Sequence, residues 1–158
     1  MLTFDVAFDR LLGNEGGYSD RPEDPGGATN WGISKRSYPD LDIKNLTRDQ
    51  AKAIYLRDFW NPLINAHPAV RFQAFDFAVH SGIQTAIRKL QAAIGVVDDG
   101  HWGPMSASRL AGMDVSDALM LYIAERLEFL GKLSNFKTDG RGFNNRIAAQ
   151  LRFAAMDN

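Results

Sequence analysis

From Thr47 to the C-terminus the chain is written almost without a break in a helical period, and this decides the fold class. Thr47-Arg48-Asp49-Gln50 has the spacing of a capping box, so a helix is predicted over about 47–59, before Asn61-Pro62. Pro68 suits the first turn of a second helix, VRFQAFDFAVH, that stops near Gly82. A third is expected over about 84–94, with Gly95 as its stop. Asp98-Asp99-Gly100 reads as a turn leading to a short helix near 104–110. A long helix over about 115–133 would bury Leu119, Tyr122, Ile123, Leu127 and Leu130. Gly140 and Gly142 are expected to separate it from a last helix over about 143–155.

The first third reads differently. Thr3 can cap an opening helix whose first turn holds Asp5, and Phe4, Phe8 and Leu11 share one face. At 100° per residue, position 15 falls within about 60° of that stripe. Glu15 would then extend the apolar face, with Gly16 and Gly17 ending the helix. Residues 16–32 follow as a loop rich in glycine and turn formers. Between Trp31 and Ile43 the apolar residues are broken by Gly32, Pro39 and charges, which fits short strands of a small antiparallel sheet. The expected class is therefore α+β, mainly α.

Composition removes most other chemistries. At 158 residues and 45% hydrophobic the chain is long enough to bury a core of its own. It has no cysteine, which excludes disulfides, thiolate metal sites and thiol nucleophiles. His67, His80 and His101 are scattered, so no metal site and no cofactor are expected. Eighteen basic against nineteen acidic residues leave a formal charge of -1, too little for a bulk grip on nucleic acid or an anionic membrane. No run reaches the roughly 18 apolar residues of a membrane span, and the N-terminus lacks the basic start of a signal peptide. The nineteen acids divide into fifteen Asp and only four Glu. Of the four, Glu15 alone is expected on a buried stripe.

A glutamate on an apolar face beside a loop crowded with Asp, Thr, Asn, Tyr and Trp suits glycosidic cleavage. That reaction needs a carboxylic acid that stays protonated near neutral pH, and partial burial moves a carboxyl in that direction. A second group must support the cationic transition state or activate water; Asp20, Glu23 and Asp24 are the candidates within reach. Plainer readings stand beside these. A glutamate at a helix end is more often a solvated cap, and Asp24 before Pro25-Gly26 can be a turn former. Thr29 and Asn30 can simply bond the loop backbone, whereas Tyr18 has better odds of facing a ligand. His80 reads as a structural histidine. Arg126, Lys132, Lys137, Arg141, Arg146 and Arg152 read as a solvated basic face.

Asn14-Glu15-Gly16-Gly17-Tyr18, followed by Asp24-Pro25-Gly26-Gly27-Ala28-Thr29-Asn30-Trp31-Gly32-Ile33, resembles the signature of glycoside hydrolase family 108. These are bacterial and phage N-acetylmuramidases with a lysozyme-like fold. The second half is similar to the peptidoglycan-binding module that accompanies the family. That likeness is carried by Phe75-Asp76-Phe77-Ala78-Val79-His80-Ser81-Gly82, Leu90-Gln91, Asp99-Gly100, Gly103-Pro104 and Gly142-Phe143-Asn144-Asn145-Arg146. Together the resemblance covers about residues 8–155.

The resemblance implies a lysozyme-like fold with a small antiparallel β-hairpin lobe and a helical lobe, one compact domain over 1–158. Within it, 8–92 would be the catalytic region and 93–156 a peptidoglycan-binding-like helical region. It further implies hydrolysis of the β-1,4 bond between N-acetylmuramic acid and N-acetylglucosamine, with Glu15 as the general acid. Asp24 matches the nine-residue offset of the aspartate in phage-type lysozymes, and Thr29 falls one residue short of their threonine. Tyr18, Asn30 and Trp31 would line the sugar cleft between the lobes. The expected partner is the glycan strand of peptidoglycan, met by a monomer made in the host cytoplasm and released to the wall through a holin-type lesion. A lytic transglycosylase giving 1,6-anhydro products, or a non-catalytic wall-binding or secretion-helper protein, are the alternatives.

Overall fold

The computed structural model describes residues 2–13, 17–20 and 26–158, which form two compact units, Thr3–Asp58 and Phe59–Asn158, with Leu2 grouped with the second. In the first unit, helix α1 spans Phe4–Leu12 and is capped by Thr3, whose hydroxyl accepts from the Val6 N–H. Ala7 and Phe8 form its buried face. The helix ends earlier than its glycine pair suggested. Gly13 takes a left-handed φ of +55° and returns its N–H to Asp9, so the helical phase stops before residue 15.

Two-residue strands β1 (Thr29–Asn30) and β2 (Ile33–Ser34) pair antiparallel, Thr29 with Ser34 and Asn30 with Ile33. The hairpin begins two residues before the expected sheet, and the chain from Lys35 to Leu46 is turns instead of strand. Trp31 and Gly32 make its two-residue loop with φ of +53° and +77°, both in the left-handed region that such tight hairpins require. Helix α2 (Arg48–Tyr55) starts with the expected reciprocal box. Gln50 N–H donates to Thr47 Oγ1, and Thr47 N–H donates to Gln50 Oε1. After Tyr55 the chain widens into a π turn over Leu56–Trp60 and tightens into a 3-10 turn over Asn61–Leu63, where Pro62 has no N–H to continue an α ladder.

In the second unit, α3 (Pro68–Ser81) is buried almost all round, with Phe72 through Ala78 inside. A helix apolar on every side belongs at the centre of a bundle. Its neighbours are α4 (Ile83–Ile94), α6 (Val115–Gly131) and α7 (Phe136–Asp157), while α5 (Pro104–Ala111) packs on α4. Gly82 and Gly95, at φ +87° and +73°, close α3 and α4 as expected. Gln91 is buried and organises the turn that follows. Its amide donates to Asp99, His101 and Ser106, and its oxygen accepts from Gly100 N–H.

Three expectations for this unit are corrected. Glycines 140 and 142 do not break the chain: they lie inside α7, which runs unbroken for 22 residues. Leu127 is 43% exposed, and Arg126 takes the buried place on α6 at 3% exposure. Arg126 and Arg146 are likewise not part of a solvated basic face, because both pair with Asp76 of α3. The fold is α+β and mainly α, with one small antiparallel hairpin among the described residues.

Candidate active site

Three short extended segments of the first unit lie side by side. Ser19 and Thr29 exchange both backbone hydrogen bonds, at 2.8 and 2.7 Å, and Thr29 pairs with Ser34 on its other edge. Lys35 N–H continues the pairing to Ala28 O, and Arg36 N–H reaches Gly26 O. Thr29 is thus fixed from both sides while its hydroxyl, half-buried, donates to Gly27 O at 3.2 Å.

The hairpin tip is anchored a second time. Asn30 is 6% exposed, and its amide nitrogen donates to the carbonyls of Ile43 and Leu46 at 3.0 and 3.2 Å. The Trp31 indole N–H donates to Leu46 O at 3.0 Å, and Trp31 O accepts from the Tyr55 hydroxyl at 3.2 Å. Among the described residues Trp31 is the one non-glycine with a left-handed φ. These bonds hold it there against a cost of about 1–2 kcal/mol.

Tyr18 and Asp20 point to the same side of their extended segment, as residues two apart must. Tyr18 is 44% exposed, and its hydroxyl donates to Asp20 Oδ2 at 3.1 Å. Desolvation, that hydrogen bond and the negative charges of Asp20 and Asp42 keep the phenol protonated beyond its ordinary range. Asp42 itself is held below the usual carboxylate range by the side-chain and backbone N–H groups of Asn45. The exposed Tyr18 hydroxyl and the Asp20 carboxylate beside it offer several acceptors to a ligand rich in hydroxyl groups.

The structure therefore brings Tyr18, Asp20, Thr29, Asn30 and Trp31 onto one hairpin scaffold. Tyr18 and Asp20 are exposed, Thr29 and Trp31 are half-buried, and the buried Asn30 has its amide committed to the backbone. Glu15 and Asp24, the expected acid and its partner, lie outside the described residues, as does Glu23. Asp42 is the participant that sequence reasoning missed. No spacing rule connects it to Tyr18, since the turns over 35–46 bring it back. Among the described residues no group of three His, Asp or Glu side chains is placed to hold a metal ion, and no helix is long and apolar enough to cross a membrane.

Residues 8–82 match the model of the family described as Glycosyl hydrolase 108. Among solved structures, the chain is similar to SagA of Brucella abortus with a TM-score of 0.88. The two are 31% identical over 98% of this chain and 94% of that one. No curated protein matches the chain.

Proposed function

Because the chain belongs, through residues 8–82, to the glycosyl hydrolase 108 family, we propose that it is an N-acetylmuramidase acting on bacterial peptidoglycan. The observation that carries this reading is that the matched segment contains every residue of the candidate site, from Glu15 to Trp31 and on to Asp42. Glu15 protonates the glycosidic oxygen between N-acetylmuramic acid and N-acetylglucosamine as the bond breaks. Asp24 activates the attacking water or supports the oxocarbenium-like transition state, and the Thr29 hydroxyl orients that water. The fixed position of Thr29 between Ser19 and Ser34 supports such a role, since positioning requires a side chain on rigid backbone. Tyr18 and Trp31 contact the sugar. Asn30 serves the same surface through the backbone it ties down.

In this reading the enzyme is an endolysin or a close bacterial counterpart, a monomer without cofactor that meets glycan strands after release to the wall. Glu15→Gln tests it: the variant should fold as the wild type does and release no sugar from purified walls. Mass spectrometry of the wild-type products separates the reaction classes. Reducing N-acetylmuramic acid ends support hydrolysis, 1,6-anhydro ends would assign a lytic transglycosylase, and wall binding without any product would assign a binding protein. Wild-type turnover by folded Glu15→Gln would remove the acid from the mechanism.

A further inference from the structure

We propose that the second unit carries a carboxylate-binding pocket built on Arg126 and Arg146. A cavity of about 210 Å³ is lined by both arginines with His80, Ser81, Asn135 and the apolar Leu130, Leu133 and Phe143. That is below the roughly 300–1,000 Å³ of sites for drug-sized ligands, and it suits a single small group on a short stem.

The charges of the cavity do not cancel. Asp76 is fully buried and its one carboxylate serves two guanidiniums. Arg146 grips it with two hydrogen bonds, at 2.7 and 3.1 Å, and Arg126 Nη1 stands 2.7 Å from Oδ2. The cluster therefore keeps one net positive charge. Burial disfavours the charged form of His80, and the two arginines add to this, so its ring adds no further positive charge.

The hydrogen bonds do not close either. Arg126 is 3% exposed and lies against the Phe77 ring, and its Nε has no acceptor among the described residues. Its Nη1 meets Asp76 at an angle that makes the contact ionic without a directed hydrogen bond. A pair that served only to hold α3 to α6 and α7 would need one cation and would leave no buried donor without a partner. A monoanion in the cavity, beside the two guanidinium side chains that line it, supplies the missing charge. The planar guanidinium suits a carboxylate, and the wall of Leu130, Leu133 and Phe143 suits a short aliphatic stem behind it. Resting on the peptidoglycan reading above, the natural occupant is a carboxylate terminus of the peptides that the glycan carries.

The test is an NMR titration of the full-length protein with N-acetyl-D-alanine, N-acetyl-D-alaninamide and inorganic phosphate, read at the arginine Nε–H groups. The acid should produce saturable shifts at Arg126, the amide none, and phosphate, which has no apolar stem for the Leu130, Leu133 and Phe143 wall, should bind about tenfold more weakly. Arg146→Gln, which cancels the net charge, and Asn135→Asp, which adds a negative charge at the cavity wall, should each weaken the acid about tenfold. Asn135→Asp leaves the Asp76 cluster untouched and decides the matter if Arg146→Gln fails to fold. Equal binding of acid and amide, no saturable shift with the acid, or full affinity in Asn135→Asp would overturn the pocket. Phosphate binding as tightly as the acid would reduce it to an adventitious ion site only. Wall turnover without acid binding would sink the pocket alone, and acid binding without turnover would sink the proposed hydrolysis alone.

Discussion

Gly32 is the position where the hairpin scaffold is most easily broken, and the cost can be worked out from its neighbours. Its φ of +77° would put an alanine in the left-handed region, at about 1–2 kcal/mol. The new Cβ would stand 2.4 Å from the Tyr55 hydroxyl oxygen and 3.7 Å from the ring carbon that bears it. The clash is therefore with the hydroxyl alone. Tyr55 is 1% exposed and its oxygen is fixed in line with the ring, so the clash is relieved only by shifting the ring or the hairpin, which breaks the bond to Trp31 O, worth about 1 kcal/mol. Together these give about 2–3 kcal/mol for Gly32→Ala, or a fall in Tm of about 4–12 °C for a chain of this length. Tyr55→Phe alone should cost about 1 kcal/mol for the same hydrogen bond. In that background the clash is gone, and Gly32→Ala should cost only the left-handed term of about 1–2 kcal/mol. Urea unfolding of the four proteins closes the cycle, and a coupling of about 1 kcal/mol between the two positions is expected. If the two costs simply add, the close approach of Tyr55 is not what reserves position 32 for glycine.

Asp76→Ala strips the buried Arg126 of its counter-charge and should cost about 3–5 kcal/mol in urea unfolding at neutral pH. The pH dependence has a definite sign. Burial by itself would raise the Asp76 carboxyl, but Arg126 and Arg146 outweigh it and hold the group below its ordinary value. A depressed folded value gives stability that is present above the unfolded pKa of about 3.9 and is lost as pH falls through the folded one. The gap between wild type and Asp76→Ala should therefore narrow as unfolding is measured at pH values progressively below about 4. Gly142 lies inside α7 with nothing within 4 Å of an added Cβ, so Gly142→Ala should stabilise by about 0.5–1 kcal/mol. A loss in the same measurement would mean that the backbone at 142 is not ordinary helix.

Local chemistry explains which elements could be read directly. The Thr47–Gln50 box, Pro68 at the start of α3, and Gly82 and Gly95 at helix ends each satisfy a backbone need within three or four residues, so sequence distance and spatial distance agree. The reading failed where a distant partner decides. Gly140 and Gly142 signal a break only if nothing else holds the helix. In α7, Ile147, Gln150 and Ala154 are buried against the second unit's core, and that packing outweighs about 1 kcal/mol of glycine cost per residue. The site divides in the same way. The sequence reading places the sheet only from Trp31 onward, so the turn at Trp31-Gly32 is missed, and it leaves Asn30's amide free for a sugar because its acceptors lie 13 and 16 residues downstream.

Arg126 is the more instructive miss, because the clue was present. Assigning every basic residue after position 125 to solvent treats charge as a property of its own helix. Asp76 sits in a run, Phe72 to Ala78, whose members are all buried, and a carboxylate there cannot remain ionised without a cation brought to it. The sequence thus demanded a buried basic partner on some other element. Arg126 lies three and four residues from the buried Ile123 and Tyr122, and Arg146 lies beside the buried Ile147, so both were placed to answer. One cation would have met the demand. That two answer it, in a wall that also holds a cavity, is what turns a packing requirement into a binding hypothesis.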